Sequence, residues 1–274
     1  MKDVKALVLT GYGLNCDYET HYSLKLAGAQ SHRVHINDLI RGKERLEDFH
    51  ILVFGGGFSW ADDHGAGVLL AAKMKFNLER ELEKFIDSGR LILGICNGFQ
   101  ALVNLGLLPG FEGVYRERRI AITYNDSGNF INTWVRLSVN PDSPCVFTRG
   151  LHHLDLPVRH GEGKLVADRE DLERLRRGGQ VVMQYADENG TPAAGRWPDN
   201  PNGSLWDIAG ICDPSGRIFG LMPHPEAFNH PTNHPDWTRI KDSLAREGRR
   251  PEGDEGNGVA IFRNAVDYAR RHLL

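Results

Sequence analysis

Gly94-Ile95-Cys96-Asn97-Gly98-Phe99-Gln100 decides the fold. The apolar run Leu91-Ile92-Leu93 enters it, and the helix-like stretch Phe99-Gln100-Ala101-Leu102-Val103-Asn104-Leu105 leaves it. A strand, a sharp turn and a helix with cysteine at the turn's centre match the nucleophile elbow of G-x-S-x-G enzymes, with sulfur replacing the serine oxygen. The two glycines, 94 and 98, let the backbone turn tightly and bring helix and strand close together. The start of the helix lies beside the sulfur, where its partial positive charge favours a thiolate. The five residues alone also fit a structural cysteine buried in a glycine turn.

Outward from the elbow, the first half of the chain alternates. Ala6-Leu7-Val8-Leu9 is a buried-strand run that ends at Thr10-Gly11-Tyr12-Gly13. A helix is predicted over 17–27, a strand over 31–36, and a third strand at Ile51-Leu52-Val53-Phe54 ending in Gly55-Gly56-Gly57. An amphipathic helix over 73–88 precedes the fourth strand. Short apolar strands alternating with helices predict an α/β fold, a parallel sheet covered on both faces. Chemistry in such sheets gathers beyond the carboxyl ends of the strands, where both glycine turns fall.

The second half is less regular. Strands are expected over 133–137, 154–158, 181–185 and 218–222, a charged helix over 168–177 and a closing helix over 259–271. Residues 229–257, rich in Pro, Gly, His and charge, suggest a long surface excursion. No internal repeat or clean domain boundary is visible, so 1–274 is expected to be one domain.

Composition excludes several classes. The 274 residues carry a formal net charge of −3, and no basic run argues for nucleic acid. Cys16, Cys96, Cys145 and Cys212 lack CxxC spacing, which points to a reducing compartment. The charged start Met1-Lys2-Asp3-Val4-Lys5 does not suit a signal peptide, and no apolar run is long enough for a bilayer. A cytoplasmic protein without membrane contact is expected.

A cysteine nucleophile needs a base, and the base needs an orienting group. Pro223-His224-Pro225-Glu226 follows an apolar strand, and residues two apart in extended chain point the same way. Glu226 is thus placed to fix the His224 tautomer while the other ring nitrogen faces Cys96. The amides of Gly57 and Asn97 are candidate donors to an oxyanion. Gly11-Tyr12-Gly13 fails as a dinucleotide fingerprint, and no Gly-Lys-Ser/Thr marks a phosphate loop. His224, His230, His234 and Asp236 match no zinc spacing, so no metal is expected. Asp62-Asp63-His64 fits a solvated loop or helix cap better than a pair of catalytic acids.

The glycine turn, the G-x-C-x-G-x-Q and the late P-H-P-E together resemble class I, triad-type glutamine amidotransferases. More narrowly, the chain is similar to the glutaminase subunits and domains of phosphoribosylformylglycinamidine synthase. The likeness rests on Gly56-Gly57-Phe58-Ser59, the elbow, Leu107-Leu108-Pro109-Gly110, His160-Gly161-Glu162-Gly163, Asn200-Pro201-Asn202-Gly203-Ser204 and Met222-Pro223-His224-Pro225-Glu226, in the family's order. It implies a flavodoxin-like open sheet, mostly parallel, with some antiparallel strands added. It implies that Cys96 attacks the glutamine side-chain amide, that His224 and Glu226 complete the triad, and that Gln100, His160 and Gly161 hold the amino-acid end. The ammonia would pass to a separate large synthase subunit, and a further expected partner is a small accessory subunit. ATP and Mg²⁺ would belong to that synthase, and this chain would bind no cofactor of its own. His160–Gly163 and Asn200–Ser204 are expected to line the site or an interface.

The chain departs from the family where Ala227 follows Glu226 in place of the usual arginine, and where Trp60-Ala61-Asp62 replaces Tyr-Gly-Asp. The Asp62-x-x-Gly65-Ala66-Gly67 stretch and the long segment between His230 and Gly258 look more like the domain fused into the single-chain enzyme. The rival readings are another thiol hydrolase of this fold, such as a γ-glutamyl peptidase, and a non-catalytic regulatory subunit.

Overall fold

The computed structural model describes residues 3–249 and 255–274. The chain begins β1 (Lys5–Thr10), α1 (Asp17–Leu26), β2 (Gln30–His35), α2 (Ile36–Ile40), β3 (Ile51–Phe54) and α3 (Val68–Asp87). It continues β4 (Leu91–Ile95), α4 (Asn97–Asn104), β5 (Ala121–Thr123), β6 (Ile131–Val139), β7 (His153–His160) and β8 (Lys164–Val166). It ends α5 (Arg169–Arg177), β9 (Val181–Ala186), β10 (Ile208–Cys212), β11 (Ile218–Leu221), α6 (Trp237–Arg246) and α7 (Val259–His272).

Nine strands form one sheet in the order β2-β1-β3-β4-β11-β10-β9-β6-β7, and β5 with β8 makes a separate small pair. The first five strands of that order run parallel. From β11 onward the neighbours are antiparallel. The chemistry of the strands explains the division. Every residue of β3, β4 and β11 is buried, as continuous apolar runs require when helices cover both faces. β6 instead mixes buried and partly exposed positions. The right-handed crossover rule puts α1 on one face with α7, and α2, α3 and α4 on the other. α3 buries Leu70, Met74, Leu78, Leu82 and Phe85, one helical stripe.

α3 starts at Val68, five residues before the expected start, because Val68-Leu69-Leu70-Ala71-Ala72 is too uniformly apolar to show a period. Three strands, β5, β8 and β10, have no counterpart in the sequence pattern. β5 and β8 are three residues each, and β10 carries Gly210 at its centre. The 229–257 segment contains α6, none of whose residues is buried, while 250–254 lie outside the described residues. No helix among the described residues is long and apolar enough to cross a membrane.

The strand order has one consequence for chemistry. β1, β3, β4 and β11 are consecutive neighbours and parallel. Asn15-Cys16, Gly55–Gly57, Cys96 and His224 all follow their carboxyl ends, so four separate segments arrive at one edge.

Candidate active site

Cys96 sits between β4 and α4 with φ 50° and ψ −106°, a positive-φ backbone that a non-glycine residue adopts only when its surroundings force it. The force is visible at Gly98: a Cβ there would overlap the Phe54 carbonyl, so α4 reaches β3 only because that position has no side chain. The thiol is 4% exposed, and its Sγ lies 3.7 Å from the carbonyl oxygen of Arg159 at the end of β7.

His224 leaves β11 with its backbone N–H donating to the Pro157 carbonyl at 2.8 Å. Its Nδ1 and Glu226 Oε1 are 2.6 Å apart, and both side chains are buried. That bond commits Nδ1–H to Glu226 and leaves Nε2 for the sulfur side. Burial works to lower the His224 pKa. The Glu226 carboxylate, then Cys96 and Cys16, more than offset it and hold it well above the ordinary imidazole value. The imidazole is therefore held towards its protonated form beside the two cysteines.

Gly57, at φ 144°, has no room for a side chain: a Cβ would lie 2.8 Å from both the Asn15 nitrogen and the Leu14 Cα. Neither its amide nor that of Asn97 donates to another loop among the described residues, and both remain candidate donors to an oxyanion. Gly56 beside it lies against the His224 ring.

The remaining expected residues divide. Gln100 is buried; its Nε2 donates to the Glu162 carbonyl at 2.5 Å, and its Oε1 accepts from Asn97 Nδ2 at 3.2 Å. Asp62 is not a solvated loop residue. Its Oδ1 accepts from Asn97 Nδ2 at 2.9 Å. Burial first, and the nearby Glu162 second, push its carboxyl up to about 6 against that hydrogen bond. Trp60, Ala61, Asp62 and His64 all have positive φ, so this loop is folded tightly beside α4.

His160 is 2% exposed and faces Asn125, whose Oδ1 lies 3.0 Å from its Nδ1 and also accepts from Gly163 N–H. Asn125 Nδ2 donates to the His160 carbonyl, so its amide orientation is fixed and His160 carries its proton on Nδ1. Burial, with a push from His224, drives the His160 pKa down to about 3, and the ring is neutral. Gly161 accepts from Asn125 N–H at 2.9 Å. The Asn200–Ser204 motif closes on the same place: Asn202 Nδ2 donates to the Gly163 carbonyl and to Tyr185 Oη, and Ser204 Oγ donates to the same carbonyl. The two motifs of unassigned chemistry are thus one buried polar scaffold under the strand that carries Arg159.

The histidines after His224 take no part. His230 caps Thr232, His234 packs against Trp134 and Phe228, and Asp236 pairs with Arg239 at 2.6 Å. Sequence reasoning missed Cys16 and Asn125. Cys16 Sγ, a ring nitrogen of His224 and a carboxylate oxygen of Glu226 lie within 4.8 Å of one another. Neither carried a local signal: Cys16 reaches this edge only through the strand order β1-β3-β4.

A family model for the CobB/CobQ-like glutamine amidotransferase domain matches residues 3–269. The phosphoribosylformylglycinamidine synthase subunit PurQ of Methanococcus maripaludis strain S2 is 47% identical over 265 residues, 96% of this chain and 97% of the relative. The subunit of that name from Dehalococcoides mccartyi is 47% identical over 271 residues, 99% of this chain and 100% of the relative. Among solved structures, PurLQS from Thermotoga maritima matches at TM-score 0.69 and 28% identity, over 97% of this chain and 99% of that one.

Proposed function

This chain belongs to the CobB/CobQ-like glutamine amidotransferases and, within them, to the PurQ subunits of phosphoribosylformylglycinamidine synthase, and from that premise we propose how its residues do the work. The chain is a glutaminase that releases ammonia from glutamine for purine biosynthesis. The observation that carries the residue assignment is a strained cysteine at an elbow, interacting with a buried histidine that a carboxylate holds at 2.6 Å.

Cys96 sulfur attacks the side-chain carbonyl carbon of glutamine, and the oxyanion that forms is held by the amides of Gly57 and Asn97. His224, holding the thiol's proton on Nε2, hands it to the amide nitrogen, and ammonia leaves. A γ-glutamyl thioester remains. His224, now neutral, takes a proton from water, hydroxide adds to the thioester, and glutamate departs as the proton returns to sulfur. Glu226 stabilises the imidazolium in both halves. Gln100 and the His160-Gly161 turn, bonded to Glu162 and Asn125, frame the place for the amino-acid end of the substrate. Residues 1–274 act as one amidotransferase domain, since one apolar core runs through both halves of the sheet.

The ammonia passes to a separate synthase subunit of the PurL kind, with a PurS-like small subunit completing the assembly, as in the Thermotoga maritima PurLQS structure. ATP and Mg²⁺ bind there, and the cytoplasm is the setting. The test is Cys96→Ala in the complex reconstituted with its synthase partners. Amidine formation from glutamine should vanish while formation from added ammonium salt continues. Glutamine-dependent synthesis surviving in Cys96→Ala would overturn the assignment.

A further inference from the structure

Two buried groups beside the imidazole have no task in this reaction: the Cys16 thiol and Glu226 Oε2. Cys16 is fixed in place by its N–H donating to the Gly56 carbonyl at 3.2 Å and by Thr20 Oγ1 donating to the Cys16 carbonyl at 2.6 Å. A Cβ built on Gly56 would be 3.2 Å from Cys16 Sγ and 2.7 Å from His224 Cε1, so sulfur and ring meet over that glycine. Cys16 Sγ, a His224 nitrogen and a Glu226 oxygen lie within 4.8 Å of one another. The ring nitrogen that can share an ion with Glu226 is Nδ1, 2.6 Å from Oε1, since Nε2 points the other way; Glu226 Oε2 is buried without a hydrogen-bond partner among the described residues. Three ligands bound to one zinc ion at ordinary lengths of about 2.0–2.3 Å stand at most about 4.5 Å apart. The cluster is therefore within a small side-chain adjustment of a coordination site.

Thiolate, imidazole and carboxylate together are the donor set of a borderline-soft divalent cation rather than of calcium or magnesium. Burial, ahead of every other influence, pushes the Cys16 thiol up, so without a metal it remains a thiol and does not compete with Cys96 as nucleophile.

We propose that Cys16, His224 and Glu226 form a binding site for zinc or a similar cation, and that its occupation switches the glutaminase off by removing His224 from service. On binding, the Cys16 S–H loses its proton to solvent and a sulfur–metal bond forms. The imidazole coordinates through Nδ1, whose proton leaves while Nε2 carries the ring's remaining one, and nothing is oxidised or reduced. The inhibition rests on the triad assignment above; the binding does not.

The experiment therefore uses the metal-stripped full chain carrying Cys96→Ala, titrated with zinc chloride against a chromogenic zinc indicator. One tight equivalent should bind. Adding Cys16→Ala, or the more conservative Cys16→Ser, should weaken it at least tenfold, and His230→Ala with His234→Ala should leave it unchanged. Thermal melting of each variant shows that it is folded. In a second arm, zinc should inhibit glutamine hydrolysis by the chain with Cys96 intact, reversibly with a chelator, at a concentration that Cys16→Ala raises at least tenfold. Zinc binding untouched by either Cys16 variant, or lost with His230 and His234, would overturn the proposal. So would inhibition of equal potency in Cys16→Ala, since the ion would then sit on Cys96 and His224 alone.

Discussion

Gly56→Ala adds one methyl group at the point where the glycine turn meets the imidazole. Neither Gly55 nor Gly56 has a positive φ, so alanine fits the backbone at both. At Gly55 the new Cβ meets nothing nearer than Thr20 Oγ1 at 4.0 Å. At Gly56 it lies 2.7 Å from His224 Cε1, against a carbon–carbon optimum of about 3.5–4.0 Å. The ring must retreat by about 1 Å. It cannot do so freely, because Nδ1 is tied to Glu226 at 2.6 Å and the backbone to Pro157 at 2.8 Å. Misplacing a catalytic group by about 1 Å costs on the order of 10²-fold in rate, roughly 2.7 kcal/mol of transition-state stabilisation. Overpacking costs roughly 1–3 kcal/mol of stability. Glutamate formation under saturating glutamine, measured beside a thermal melt, should show Gly56→Ala folded and about a hundredfold slower, with Gly55→Ala close to the parent. Equal rates in the two variants would refute the placement of His224 against this turn.

Two further outcomes follow from the buried histidines. Glu226→Gln keeps a hydrogen-bond acceptor near Nδ1 but removes the charge that holds the His224 pKa up. Turnover should fall at least 10²-fold, the scale on which general-base catalysis is lost, and an unchanged kcat would refute the role of Glu226. His160, driven down to about 3, stays neutral in the folded chain while the unfolded chain takes up its proton below about 6.5. Its contribution to stability is thus full above that pH and is lost as pH falls, by about 2 kcal/mol at pH 5. His160→Asn, which can donate to Asn125 without titrating, should lose less stability than the parent between pH 7.5 and pH 5 in urea unfolding. Parallel pH profiles would show that His160 is not buried neutral.

How much of this was legible in the sequence follows from which interactions are local. The elbow was readable because strand, turn and helix are contiguous and both glycines carry steric signatures. His224 and Glu226 were readable because a two-residue spacing in extended chain sets their common direction. The parallel half of the sheet followed from uniform apolar runs. The antiparallel half was harder: β10, short and interrupted by Gly210, gives no alternation to detect. The place of Cys16 depends on β1 lying beside β3 and β3 beside β4, an order that no local pattern encodes. His160–Gly163 and Asn200–Ser204 stood out as motifs, but their union through Asn125, Asn202 and Tyr185 needs tertiary contact. Asp62 reads as solvated because the run Asp62-Asp63-His64 is polar; the bond from Asn97 that turns it inward comes from another element.

The central claim is that Cys96, and no other group, carries the glutamyl intermediate. Its most direct measurement is intact-mass and peptide-mapping mass spectrometry of the chain quenched in acid during glutamine turnover, with its synthase partners present. A transient adduct of one glutamyl group should map to the peptide containing Cys96 and be absent in Cys96→Ala. An adduct on Cys16, or sustained turnover by Cys96→Ala, would contradict the account.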